Sequence, residues 1–262
     1  MLETTTVTEA APGGVNDDLL LVSDRWAILL DGVSRYPGAD NGCTHDVSWF
    51  VAHLGAHLGR GIATAPSATD MRTLLADAIT LTMADHGAGC DLTNPLTPAA
   101  TVAAIRLSAD RIDWLVLGDA TVSWLSSDGT ADAVTDDRLE QLKGGPVVVA
   151  DVRRYDSAYV ASVRNKPGGF WVAAADPNAA AEALTGSVQR DRVAKVGLYS
   201  DGITRLVERY GRTWRELFDL AEAEGPRALV DAVRAAEKAD PDPSRWRGKP
   251  HDDATAVIAR CS

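Results

Sequence analysis

Cysteine is scarce in this sequence, long apolar runs are missing, and basic residues never cluster. Each shortage narrows what the chain can be. The three cysteines, Cys43, Cys90 and Cys261, are an odd number with no close pair, a spacing that fits free thiols in a reducing compartment better than disulfides or a zinc site. No window approaches the roughly 18 consecutive apolar residues of a membrane span. The first ten residues have neither the basic nor the apolar region of a secretion signal. A cytoplasmic monomer, away from membranes, is the expectation. With a net charge of −11 and no Lys/Arg run, nothing supplies the counterion release that nucleic-acid binding needs, so no nucleic-acid partner is expected.

Nucleophile signatures are missing as well. Six residues after Cys43 and Cys90 stand Trp49 and Leu96, where a cysteine phosphatase loop would place arginine. There is no G-x-S-x-G elbow, no Gly-rich Lys-Ser/Thr loop and no G-x-G-x-x-G fingerprint. The Asp-x-Asp-x-Ser run at 240–244 is broken by prolines and cannot end a central strand. Covalent catalysis therefore has no obvious side chain to carry it.

What is present is a chain of 262 residues, 45% hydrophobic, ample for one sizeable core. Residues 1–13, rich in Thr, Ala and Gly without periodicity, read as a flexible N-terminal tail ahead of a single domain over 14–262. Short apolar runs at 18–22 and 26–30 predict a hairpin of buried strands. Helical spacing at 44–58 and 67–83 predicts two amphipathic helices. A meander of strands is expected at 101–107, 111–117 and 121–125, with further strands at 147–149, 159–163, 170–173, 193–199 and 255–260. A short helix is expected near 178–184 and longer ones at 214–223 and 227–238. Strands and helices in blocks, without strict alternation, give an α+β class with antiparallel sheets.

Aspartates recur beside small residues at the predicted strand ends: Asn16-Asp17-Asp18, Asp31-Gly32, Gly118-Asp119, Ser200-Asp201-Gly202 and Asp252-Asp253-Ala254-Thr255. A carboxylate there keeps a rigid support yet reaches a cleft, and a following glycine lets backbone approach a ligand. One Asp-Gly pair is ordinarily a turn, but several at strand ends point to a site of hard oxygen donors suited to Mg²⁺ or Mn²⁺. His45, His53 and His57 include a pair four apart on a predicted helix with no acidic third ligand expected on that face, and read as structural or solvated residues.

In that order these motifs resemble the PPM family, the metal-dependent Ser/Thr protein phosphatases of the 2C type. Asn16-Asp17-Asp18 stands for the family's Asn-Glu-Asp, Leu30-Asp31-Gly32 for Ala-Asp-Gly, and Ala100-Thr101-Val102 opens a strand. Gly118-Asp119-Ala120 stands for Gly-Asp-Ser, Leu198 to Ile203 for Leu-x-Ser-Asp-Gly-Leu, and Asp252 to Thr255 for Asp-Asn-x-Thr. The resemblance covers about residues 14–260. It implies a four-layer αββα sandwich, two antiparallel β-sheets flanked by helices, with two Mg²⁺ or Mn²⁺ ions at one end. It makes Asp31 the bridging ligand and puts the Gly32 carbonyl on one ion. Asp201 and Asp252 fall on the other, and Asp17 and Asp18 hold metal-bound waters. A hydroxide bridging the ions would attack the phosphorus of a phosphorylated protein. Asp119 is read as shaping the turn beside the site.

The departures from the family pattern are specific. Asp17 is one methylene shorter than the usual Glu, the Arg often found upstream is replaced by Gly13 and Gly14, and the stretch after Asp31 lacks the histidine of the family. Arg35, four residues after Asp31, is expected to take over anchoring of the phosphate. A small phosphorylated metabolite is the alternative substrate. A catalytically silent PPM-fold binding module is the alternative role, disfavoured because three retained like charges are tolerable only around a cation.

Overall fold

Successive side chains of a strand face opposite ways, and in Ala27-Ile28-Leu29-Leu30 both directions are buried. Ile28 and Leu30 pack with Phe50, Leu54 and Leu75 of a helical layer, whereas Ala27 and Leu29 pack with Val122, Leu198 and Val257 of a second sheet. A strand apolar on both faces belongs in the middle of a layered structure. The structure, a computed structural model, describes residues 1–36, 38–142, 147–149, 153–246 and 248–261.

In chain order the strands are β1 (Leu2–Glu9), β2 (Leu19–Val22), β3 (Trp26–Gly32), β4 (Ala100–Leu107), β5 (Arg111–Leu117) and β6 (Thr121–Ser126). They continue with β7 (Ala131–Val134), β8 (Val147–Val149), β9 (Arg153–Tyr155), β10 (Leu184–Gln189), β11 (Val193–Tyr199) and β12 (Ala254–Cys261). The α-helices are α1 (Val47–Thr64), α2 (Met71–Asp85), α3 (Arg138–Gln141), α4 (Ser157–Val163), α5 (Asp201–Glu208), α6 (Trp214–Glu224) and α7 (Arg227–Ala239). One five-stranded sheet runs β1-β12-β11-β6-β7 and the other β10-β5-β4-β3-β2. All their pairings are antiparallel. The expected αββα sandwich is the architecture found.

Helices α1 and α2 cover one sheet. Asp46 starts α1 by accepting from the Trp49 N–H, and Val47, Phe50, Val51, Leu54, Leu58 and Ile62 then turn a buried stripe onto β3 and β4. Burying such side chains contributes about 1.5–3 kcal/mol each. Helices α5, α6 and α7 cover the other sheet through Ile203, Leu217, Phe218, Leu229 and Val233. Thr213 and Glu216 form a reciprocal capping box that opens α6. A fourth cluster, Ala99, Tyr155, Val160, Phe170 and Val172, sits apart from these layers.

Several expectations are corrected. The segment read as a tail contains β1, which pairs with β12 along its whole length from Leu2↔Cys261 to Glu9↔Ala254. Its β-branched threonines favour extended backbone, and an edge strand with mostly solvated side chains needs no apolar alternation, so the pattern was silent there. Residues 159–163 lie in α4, which Asp156 caps through the Tyr159 N–H. Residues 170–173 join no strand and make isolated bridges from Phe170 to Arg164 and from Ala173 to Ala100. β10 was not expected, because its side chains are largely exposed. Among the described residues no helix is long and apolar enough to cross a membrane.

Candidate active site

Central strands of both sheets end at the same edge of the sandwich, and their ends carry the acids. Asp31 closes β3, Asp119 lies in the turn between β5 and β6, Asp201 opens α5 directly after β11, and Asp252 precedes β12. All four line one cleft of about 200 Å³, together with Gly32. Asp18, just ahead of β2, belongs to the same charge cluster: its carboxylate and those of Asp119, Asp201 and Asp252 all raise the pKa of Asp31.

Burial is the larger cause of that rise, and it pushes the Asp201 carboxyl well up too, with Asp252 and Asp119 adding repulsion and Arg205 and Arg209 opposing it. Asp18 is pushed up to about 7, first by burial and then by the charges of Asp253 and Asp252. The nearby Thr255 and Ser200 hydroxyls pull in the other direction. Those hydroxyls have other partners: Thr255 Oγ1 is 2.8 Å from Thr8 Oγ1, and the Ser200 hydroxyl donates to the Asp253 carbonyl at 3.4 Å. Both Asp18 oxygens are buried without a hydrogen-bond partner. An orphaned carboxylate beside other acids is costly unless a cation compensates it. Hard oxygen donors from Asp18, Asp31, Asp201 and Asp252 fit divalent ions such as Mg²⁺ or Mn²⁺.

Two glycines permit the convergence. A Cβ on Gly32 would stand 2.5 Å from the Asp17 carbonyl oxygen and 2.5 Å from Val47 Cγ1. On Gly202 it would stand 1.9 Å from the Asp253 carbonyl oxygen. Only glycine brings β3 against the Asp17-Asp18 segment, and α5 against the start of β12.

The two adjacent acids of the last motif divide their work. Asp253 is held by backbone, its Oδ1 accepting from the Ala11 N–H at 2.7 Å and its Oδ2 from the Asp17 N–H at 2.8 Å. Asp252 faces the cleft, where Lys249 Nζ approaches its Oδ1 at 2.9 Å and Arg205 its Oδ2 at 3.1 Å. A cation bound there has to displace Lys249, whose flexible stem allows it. Asp17 does not line the cleft; its Oδ1 accepts from the Ser48 hydroxyl at 2.6 Å, at the start of α1.

Arg35 is not brought to the acids. Its guanidinium donates to the His45 carbonyl, and the residue lines a neighbouring cavity. The strap after Gly32 turns this side chain toward the loop ahead of α1, which spacing alone does not reveal. Among the described residues, the cations that line the cleft are Arg154, Arg164, Arg209 and Lys249. Arg164 is buried and committed to the Thr97 carbonyl, and Arg154 lies over the Tyr36 ring. Arg209 stands close enough to Asp201 to oppose its rise and also lies over Trp246. Asp119, read from sequence as a turn residue, is a cleft acid. Lys249, three residues before Asp252, was legible in sequence as the cation nearest that motif. On the far helical face, Asp85 of α2 supplies the acid not expected for the His53/His57 pair, 2.7 Å from both imidazoles.

Residues 10–234 match the protein phosphatase 2C family. No curated protein matches the chain. Among solved structures, a PPM Ser-Thr phosphatase of Mycobacterium smegmatis, MsPP, in complex with cacodylate, is 15% identical with a TM-score of 0.58, over 99% of this chain and 98% of that one. The catalytic domain of the serine threonine protein phosphatase PstP, in complex with two manganese ions, is 15% identical at a TM-score of 0.56, over 99% of this chain and 97% of that one. A C. elegans sex determining protein is 14% identical at 0.63, matching all of this chain but only 65% of its own length. At such identities these structures speak for the fold. The family match spans most of the sequence, and on that ground the chain belongs to the protein phosphatase 2C family.

Proposed function

We propose that this chain hydrolyses phosphoserine and phosphothreonine in proteins with Mg²⁺ or Mn²⁺ held by Asp18, Asp31, the Gly32 carbonyl, Asp201 and Asp252. The observation that carries the reading is the unpartnered buried carboxylate of Asp18 in one cluster with four further acids, Asp31, Asp119, Asp201 and Asp252, drawn from separate parts of the chain. When bound, a pair of divalent ions supplies an acidified water and neutralises charge on the phosphoryl oxygens. The chain's own residues position and shape. Asp31 is steadied by the Asp201 N–H at 3.2 Å, and Arg209 offers a guanidinium to the non-bridging phosphoryl oxygens, a contact that strengthens as charge develops. Asp17, one shell further out, orients the Asp18 segment through Ser48. Among the described residues no histidine lines the cleft, so proton delivery to the leaving oxygen falls to water or to a carboxyl such as Asp119.

A cytoplasmic setting is part of this reading, supported by the three cysteines being free of disulfides. The full set of acids counts against a silent module. Comparing kcat/KM for phosphothreonine peptides with that for small phosphate esters, under saturating Mn²⁺, tests the substrate class. A preference for peptides is expected, and a preference for one small ester would overturn it.

A further inference from the structure

Two cysteines and two histidines with no part in the acid cleft meet at one end of the α1–α2 hairpin. Cys43 and His45 lie in the loop just ahead of α1, and His86 and Cys90 in the turns just after α2. The antiparallel helix pair therefore joins residues 43 to 45 positions apart. Their four ligand atoms all lie within 4.8 Å of one another. Cys43 Sγ stands 3.3 Å from His86 Nδ1 and 3.5 Å from His45 Nδ1, and Cys90 Sγ stands 3.3 Å from His45 Nδ1. A tetrahedral zinc ion, with Zn–S of about 2.3 Å and Zn–N of about 2.0–2.1 Å, sets neighbouring sulfur and nitrogen atoms about 3.5 Å apart. The observed spacing is that of a ligand tetrahedron.

Surrounding groups hold the rings in place. His45 stacks on Trp49 with centroids 3.9 Å apart, and His86, only 4% exposed, meets the same indole edgewise at 4.6 Å. The His45 N–H points at Cys43 Sγ from 3.4 Å, a donor that favours a thiolate. A Cys43–Cys90 disulfide would occupy both sulfurs but leave two imidazoles aimed, Nδ1 first, at atoms that need nothing from them.

We infer that Cys43, His45, His86 and Cys90 form a structural zinc site, separate from the catalytic ions. Four protein ligands leave no open position, as in sites that hold structure and not in those that do chemistry. Binding exchanges the two thiol protons, released to solvent, for two Zn–S bonds. The ion would staple loops already bridged by the Asp91 N–H on the Gly42 carbonyl at 2.6 Å and by Asn94 Nδ2 on the Asp40 carbonyl at 3.1 Å. Because Arg35 grips the His45 carbonyl, the staple also fixes the strap from Gly32 to Tyr36 that borders the cleft. On this inference Cys43 and Cys90 are zinc thiolates and not the isolated thiols that their separation in sequence suggests.

The test is metal content in the whole chain, purified without chelator and dialysed against Mg²⁺. About one zinc per chain is expected, retained in Asp31→Asn and lost in Cys43→Ser and Cys90→Ser. Replacing zinc with Co²⁺ in the wild type should give a thiolate-to-cobalt charge-transfer band, which the oxygen donors of the cleft cannot produce. Zinc should also protect two thiols from alkylation. A folded wild type that takes up no zinc on reconstitution, shows no such band and alkylates equally with and without zinc would overturn the site. So would recovery of a Cys43–Cys90 disulfide from freshly purified protein.

Discussion

The backbone N–H of Asp201 donates to Oδ2 of Asp31 at 3.2 Å, joining residues 170 positions apart. Asp201 is the first residue of α5, so the bond presents a helix N-terminus to a carboxylate that sits among like charges. The partial positive charge of that terminus favours the anion. Asp201→Asn keeps the backbone bond while deleting one negative charge. Hydrolysis should fall at least about a hundredfold, or roughly 2.7 kcal/mol in the barrier, while the melting temperature in EDTA stays level or rises. Turnover and thermal unfolding of the same preparation check both halves.

Acid–base behaviour without metal follows from Asp18. Its folded pKa of about 7 lies above the ordinary 3.8, so between those values the native state binds the proton more tightly than the unfolded chain. Its contribution is fully present below about pH 4 and is lost as pH rises through 7. In EDTA, the stability of wild type relative to Asp18→Asn should therefore fall by a few kcal/mol from pH 4 to pH 8. Urea titrations of both proteins across that range measure it, and adding Mn²⁺ at pH 8 should restore the wild type selectively.

Asp252 and Asp253 should separate cleanly. Asp253→Asn exchanges one acceptor for an amide facing a backbone N–H, costing about 1–3 kcal/mol and loosening the Asp17-Asp18 segment, with the metal requirement little changed. Asp252→Asn should raise the Mn²⁺ concentration for half-maximal rate tenfold or more. Metal titrations of activity, alongside denaturation, distinguish this assignment from one shifted by a residue.

Much of this was legible in the sequence, and the gaps have physical causes. Strands buried on both faces, such as β3 and β4, announce themselves by continuous apolar runs, and the paired sheets follow from them. β1 and β10 do not, because edge strands draw on backbone pairing while their side chains stay in water. Asp31, Asp201 and Asp252 were readable because each ends or precedes a core element beside a small residue. Arg209 lies in the turn after α5 with no motif around it, and the meeting of Cys43 with Cys90 depends on how two helices pack, which local spacing cannot encode.

The cations near the cleft make a paired prediction. Arg35→Ala should change kcat/KM for a phosphomonoester by less than about threefold, since that guanidinium is spent on the His45 carbonyl. Arg209→Ala should lower it by roughly ten- to a hundredfold, about 1.4–2.7 kcal/mol. Equal loss in both variants would return the anchoring task to Arg35.

Buried charge also sets the stability of the cleft wall. Arg205 is fully buried and bonded to Glu237 at 2.8 Å and to Asp252 at 3.1 Å. Arg205→Met would leave Glu237 Oε1 and Asp252 Oδ2 without their guanidinium while Glu237 Oε2 keeps Arg234 and His251, and should cost about 1–3 kcal/mol, read as a fall in the urea midpoint.

Phosphate release from a phosphothreonine peptide, before chelation, after EDTA, and after Mn²⁺ is returned, tests the central claim most directly. The account predicts steady turnover, its loss on chelation, and its recovery with Mn²⁺ in the wild type but not in Asp31→Asn. Turnover that survives exhaustive chelation, or that Asp31→Asn recovers equally, would contradict it.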